Sequence, residues 1–179
     1  YGHHRELHSF PTRRSSDLEM SKSKFKTMRH IEAVRNHLDA CIAILSERAQ
    51  YHDQSKLQSP EVEIFEVYTP KLRECSYGSE EYRKNMQEMK VAIDHHNQCN
   101  RHHPEHHRRG FSDMNMFDLL EMLVDWRAAG MRHDDGDIYK SIEINQNRFG
   151  YSDEMRGLLE RTIEYLLAHG RIFHKANES

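Results

Sequence analysis

The sequence predicts an all-α fold, a single-domain bundle of about six helices, on three observations. Apolar residues recur at three- and four-residue steps along most of the chain, only eight Gly and four Pro interrupt its 179 residues, and strand signals are nearly absent. That length suits one domain with a real core and is short for two.

A first helix is expected over residues 24–49, where Ile31, Val34, Leu38, Cys41 and Leu45 form an apolar stripe. His37 borders that stripe, three residues after Val34 and four before Cys41, so its imidazole is expected at the core margin. His52-Asp53 follows at the helix end. Ser59-Pro60-Glu61 then offers an N-cap and a first-turn proline for a second helix running to about residue 75. After the turn Tyr77-Gly78-Ser79, a third helix over 79–97 carries Tyr82, Met86, Met89, Ile93 and His96 at steps of four, three, four and three. His96 therefore continues an apolar stripe, and a buried imidazole needs a partner, either a backbone carbonyl or a metal.

Residues 100–110 hold a proline, a glycine and no periodicity, which predicts a loop from which His102 or His103 can swing back to the helix end. The fourth helix, over 114–129, places Met116, Leu119, Leu120, Leu123 and Trp126 on one side. Asp125 lies on another with Asp118, Glu121 and Met122, a pattern that taken alone reads as a solvated acidic face. Helices over 137–148 and 152–169, the latter with Ser152 as N-cap and Gly170 past its end, complete the bundle.

Composition narrows the function. A net charge of −3 argues against a general nucleic-acid binder, which needs excess Lys and Arg for phosphate contacts. Cys41, Cys75 and Cys99 are odd in number and lack C-x-x-C spacing, so a reducing, cytoplasmic setting is expected. No apolar run approaches a membrane span. Residues 1–18 lack apolar periodicity and are rich in polar and charged groups, which predicts irregular chain. Within them, Ser9 to Leu18 (SFPTRRSSDL) resembles the conceptual translation of a sequencing adapter. Residues 1–19 are thus expected to be a disordered, artefactual extension, and residues 20–179 the metal-binding domain.

The chemistry centres on HDQSK, residues 52–56. Adjacent His52 and Asp53 offer one neutral nitrogen and one anionic oxygen, a mixture that suits one or two ions of Mn, Fe, Co, Ni or Zn better than calcium or magnesium. Six histidines then fall between His95 and His107, in HHNQCNRHHPEHH. A metal on such ligands, with a position left for water, lowers the pKa of that water, which makes hydrolysis the first chemistry to expect. Lys56, three residues after Asp53 on a helical turn, is placed to donate to that water or to a substrate phosphate. Arg101, Arg108 and Arg109 match phosphate by their fork of donors, and serve equally as solubilising loop residues. His95, His106 and His107 are expected to face solvent or to lie behind the ligands.

The ordered set His37, His52-Asp53 and Asp125 resembles the ligand signature of the HD superfamily of metal-dependent phosphohydrolases. HDQSK is similar to the H-D-x-x-K form of its cyclic-dinucleotide phosphodiesterase branch, in which further histidines hold a second metal, and His96 with His102 or His103 matches those places. HDQSK, H-x-x-x-N-x-H-H at 96–103 and EMLVDW at 121–126 together resemble an uncharacterised domain family of bacteria and their phages, over about residues 24–170. The chain lacks the branch's G-Y-P element, so that substrate is not implied. The interval from His37 to His52 is short for the superfamily, and His30 stands as the alternative first ligand.

The resemblance implies a first metal on His37, His52, Asp53 and Asp125, with Asp53 bridging to a second. Asp53 and Lys56 would be the catalytic residues, acting on a small phosphorylated, nucleotide-like substrate. A non-catalytic metal-binding or metal-sensing module is the alternative expectation.

Overall fold

The computed structural model describes residues 15–75, 79–131 and 136–170. Seven α-helices, and no strand, occur among them: α1 (Ser15–Tyr51), α2 (Glu61–Glu74), α3 (Glu80–Glu88), α4 (Lys90–Cys99), α5 (Met116–Gly130), α6 (Ile138–Phe149) and α7 (Asp153–Ala168). The all-α expectation holds. None of these helices is long and apolar enough to cross a membrane. Of the stretch expected to be irregular, residues 1–14 lie outside the described residues and 15–19 open α1. A formed helix extends at little cost per added residue, so it need not stop where apolar periodicity does.

The chain divides into two compact units, residues 1–47 and 48–179. Among the described residues the first unit is α1 up to Glu47. The second contains the last turn of α1 and all later helices.

In the second unit the helices start where side chains can satisfy their free N–H groups. Ser79 accepts from the Tyr82 N–H, Asp137 from the Tyr139 N–H and Ser152 from the Met155 N–H. Asn115 and Asp118 form a reciprocal capping box at the start of α5. Gly150, at φ +69°, supplies the left-handed residue that ends α6 and lets the chain reverse into α7. The core gathers Leu123 from α5, Ile138 and Ile142 from α6, and Leu159 and Ile163 from α7 around Tyr151, with Phe111 and Trp126 packed against it. α2 packs on α3 and α4.

Two boundaries differ from expectation. The third predicted helix is two, α3 and α4, joined at buried Met89. Met89 keeps near-helical angles (φ −77°, ψ −8°), so the apolar stripe runs through the junction and leaves no mark of it in the sequence. At the start of α2 the N-cap position is Pro60, not Ser59, and Glu61 is turned fully inward.

Candidate metal centre

The site begins where α1 stops. Asp53 adopts the left-handed conformation, φ 57° and ψ 14°, and the chain passes directly into a 3-10 turn over Gln54–Leu57. Asp is one of the few residues with a β-carbon that visits this region readily, and such positions gather at functional sites. The turn brings Lys56 back onto Asp53, Nζ donating to Oδ2 at 2.6 Å.

Three other elements point side chains at the same place. α4 supplies buried His96, the loop after it supplies buried His102 and half-buried His103, and α5 supplies Asp125. His52 Nε2 lies 3.5 Å from Asp53 Oδ2 and 3.6 Å from Asp125 Oδ1. His96 Nε2 and His102 Nε2 lie 3.4 and 3.5 Å from Asp53 Oδ1. These spacings are long for hydrogen bonds. They match the ~3.3–3.6 Å between neighbouring ligands of a tetrahedral ion bonded at ~2.0–2.2 Å. His103 Nε2 stands 2.9 Å from His96 Nε2.

Ligand atoms fall into three overlapping groups, each within 4.8 Å: Asp53, His96, His102 and His103; His52, Asp53 and Asp125; and His52, His102 and Glu121. Asp53 is common to the first two. Its Oδ1 and the Nε2 of His102 are buried polar atoms with no hydrogen-bond partner among the described residues. Such orphans are costly in protein interiors, and a cation between them satisfies both. The donor set, imidazole nitrogens with carboxylate oxygens, suits a divalent transition metal.

The rear nitrogens of the same rings are held by two glutamates. Glu121 Oε1 accepts from His52 Nδ1 at 2.9 Å and lies 3.2 Å from His102 Nδ1. Fully buried Glu61 accepts through Oε2 from His96 Nδ1 at 2.9 Å and through Oε1 from His95 Nδ1 at 2.7 Å. Carboxylates on Nδ1 fix the tautomer and aim Nε2 forward, an arrangement typical of metal-binding histidines. Arg48 anchors the assembly, donating to Glu121 Oε2 at 2.6 Å and to Asp118 Oδ1 at 2.7 Å.

These contacts set the charge states. Asp125 and Glu121 beside it, reinforced by Asp53, push the His52 imidazole up to about 10 despite its partial burial. Burial, with His102 and His96 nearby, pushes His103 down to about 3, and burial also lowers His96. Burial works to raise the carboxyls of Asp53, Glu121 and Asp125. Lys56 overcomes it at Asp53, His102, His52 and Arg48 at Glu121, and His52 at Asp125, leaving all three below the usual carboxylate range.

Of the residues expected from sequence, His52, Asp53, His96, His102, His103 and Asp125 come together. His37 lies in the first of the two units. It is exposed on α1, as is His30, and the three groups include neither. Periodicity placed His37 beside an apolar stripe, yet Ile31, Val34 and Leu38 of that stripe are themselves exposed. The arginines are engaged elsewhere: Arg101 donates to Asp118, Arg109 to Asp113, and Arg108 is exposed. The forks of Arg101 and Arg109 already hold carboxylates, and none of the three lines the cleft described next.

That cleft, about 640 Å³, is lined by His52, Asp53, Lys56 and Asp125 of or beside the cluster together with Leu57, Phe65, Met89 and Ala128. Sequence reasoning missed Glu61 and Glu121. Glu61 looked like a first-turn acid after Pro60, and Glu121 like part of a solvated face. The spacing Asp118, Glu121, Asp125 was the available signal.

The sequence model of a family of unknown function, DUF5662, matches residues 19–169. The chain belongs to that family. The match takes in HDQSK, the histidine-rich loop and α5, so every residue of the centre lies within this family member's shared region. No curated protein and no solved structure matches the chain.

Proposed function

We propose that the chain is a metal-dependent phosphohydrolase of the HD type, cutting a phosphomonoester or phosphodiester of nucleotide-like character in the cytoplasm. One observation carries the reading: the partnerless buried atoms Asp53 Oδ1 and His102 Nε2 meet within a ring of nitrogens and carboxylate oxygens spaced as ligands are. His52, Asp53 and Asp125 would hold one ion, and Asp53 with His96, His102 and His103 a second. Divalent ions so bound lower the pKa of water and stabilise charge on phosphoryl oxygens.

The chain's own groups do the rest. Glu121 and Glu61 accept from Nδ1 of His52 and His96, which turns each Nε2 toward Asp53. Lys56 lines the open side of the site and supplies a mobile cationic donor for a phosphoryl oxygen. Met89, Phe65 and Leu57 give the cleft an apolar lining. The ordered residues His52-Asp53 and Asp125, with the extra histidines, support kinship with the HD superfamily.

Hydrolysis of a nitrophenyl phosphate tests the reading. Turnover should require added Mn, Fe, Co, Ni or Zn, fall on Lys56→Ala with metal content kept, and vanish with Asp53→Ala. If nitrophenyl phosphate, mononucleotides, dinucleotides and cyclic nucleotides all stay intact with each metal, the enzyme reading fails. The four-ligand group Asp53, His96, His102 and His103, sufficient to close a tetrahedral site, then favours a metal-binding or sensing module.

A further inference from the structure

The cleft beside the centre is asymmetric in a way that constrains what enters it. Among the described residues Lys56 is the one Lys or Arg in its lining, and its ammonium is already paired with Asp53 at 2.6 Å. Arg101 and Arg109, the nearest candidates in sequence for further anion contacts, are spent on Asp118 and Asp113. The rest of the lining is largely apolar: Leu57, Phe65, Met89 and Ala128, with Gln54 and Thr69. Leu57 is 70% exposed, an apolar side chain left to water at the mouth of a polar site. Phe65 reaches the centre itself, its ring edge-on to His96 with centroids 6.5 Å apart.

We infer that the substrate is a phosphoester of low charge whose leaving group is apolar or aromatic, seated on Leu57 and Phe65 while one phosphoryl group meets the metal ligands and Lys56. This rests on the phosphohydrolase reading of the centre. A polyphosphate would extend further negative charges past the ions and Lys56 onto lining without Lys or Arg, and would leave that apolar surface uncovered. An ester with a ring or short chain covers that surface, and a volume near 640 Å³ is within the ordinary range for small-molecule sites. Contact between Phe65 and His96 places the apolar group next to the reacting phosphoryl, as a leaving group must be.

Phosphonates, whose C–P bond resists hydrolysis, separate this inference from the reaction. Binding of phosphate, methylphosphonate, hexylphosphonate and phenylphosphonate to the metal-loaded protein would be measured by calorimetry. Each fully buried methylene is worth about fourfold in affinity, so a partly covered hexyl chain should gain on the order of tenfold or more over methyl. Phenyl should gain similarly.

Leu57→Asn should remove most of that gain with methylphosphonate affinity and metal content retained. Phe65→Leu should keep the hexyl gain and reduce the phenyl one. Equal affinity across the series, a gain that survives both substitutions, or no phosphonate binding at all overturns the inference. If hexyl- and phenylphosphonate bind as expected but the matching hexyl and phenyl phosphate esters are not cleaved, the apolar subsite stands and the hydrolase reading falls.

Discussion

Glu121 on α5 accepts from His52 Nδ1 at 2.9 Å, and this bond turns the opposite ring nitrogen of His52 toward Asp53 and Asp125. The same carboxylate oxygen stands 3.2 Å from His102 Nδ1, so one residue orients imidazoles from two different elements. Removing such a carboxylate from behind a metal-bound histidine costs about 10–100-fold in metal affinity. Glu121→Ala should therefore weaken zinc binding by about that factor, and Glu121→Gln, which still offers an acceptor oxygen, by less. Competition against a chelator of known affinity measures both, and an unchanged affinity in Glu121→Ala would remove Glu121 from its assigned role.

Asp118 binds no metal in this account. It is fully buried, accepts from Arg48 and Arg101, and its Oδ2 closes the capping box on the Asn115 N–H at 3.0 Å. Asp118→Ala takes one of two carboxylates from Arg48, which keeps Glu121, and removes the reciprocal half of the capping box, so a loss of about 1–3 kcal/mol is expected. Urea unfolding of metal-free protein checks it, and a loss under about 1 kcal/mol would show that Arg48 finds other partners.

Opposite shifts of His52 and His103 predict a stability maximum in metal-free protein. His103, at about 3 when folded, lacks a proton that the unfolded chain binds below its ordinary value of 6.5, so stability rises with pH across that window. His52, at about 10 when folded, keeps a proton that the unfolded chain loses above 6.5. Its contribution is full below 6.5 and gone once pH passes 10. The depressed carboxyls Asp53, Glu121 and Asp125 add to the rise at the acid end.

Thermal unfolding after chelation should therefore be highest near pH 6.5 and decline toward 10. The extra stability conferred by metal should grow over the same range, because His52 must shed its proton to bind. Metal-free stability that climbs between pH 6.5 and 9 would contradict this assignment.

Backbone strain at Asp53 makes a separate prediction. At φ 57° a glycine is unstrained, whereas alanine in this region costs about 1–2 kcal/mol. Asp53→Gly and Asp53→Ala should both lose metal, but metal-free Asp53→Gly should be more stable than Asp53→Ala by about 1 kcal/mol. Equal stability in urea would mean that the turn relaxes once the carboxylate is gone.

Much of this architecture was legible in the sequence because it rests on local signals. Period-3.6 stripes located α5, α6 and α7 to within a residue or two, and Ser152 was readable as a cap because its hydroxyl serves an N–H three residues on. His96 was legible as a buried imidazole because it continues an apolar stripe. What failed depended on tertiary placement. Nothing local distinguishes a solvated acidic face from Asp118, Glu121 and Asp125 turned onto a cluster of histidines, and Glu61 carries no mark of its burial. At Ile31, Val34 and Leu38 periodicity alone did not tell a packed stripe from an exposed one.

The most direct test is elemental analysis of untagged protein, purified without chelator and paired with circular dichroism. The account predicts one or two equivalents of Mn, Fe, Co, Ni or Zn per chain, lost in Asp53→Ala and in His102→Ala while the helical spectrum persists. A folded wild-type protein that carries none of these metals, and takes up none on titration, would contradict the central claim that Asp53 Oδ1 and His102 Nε2 share a cation.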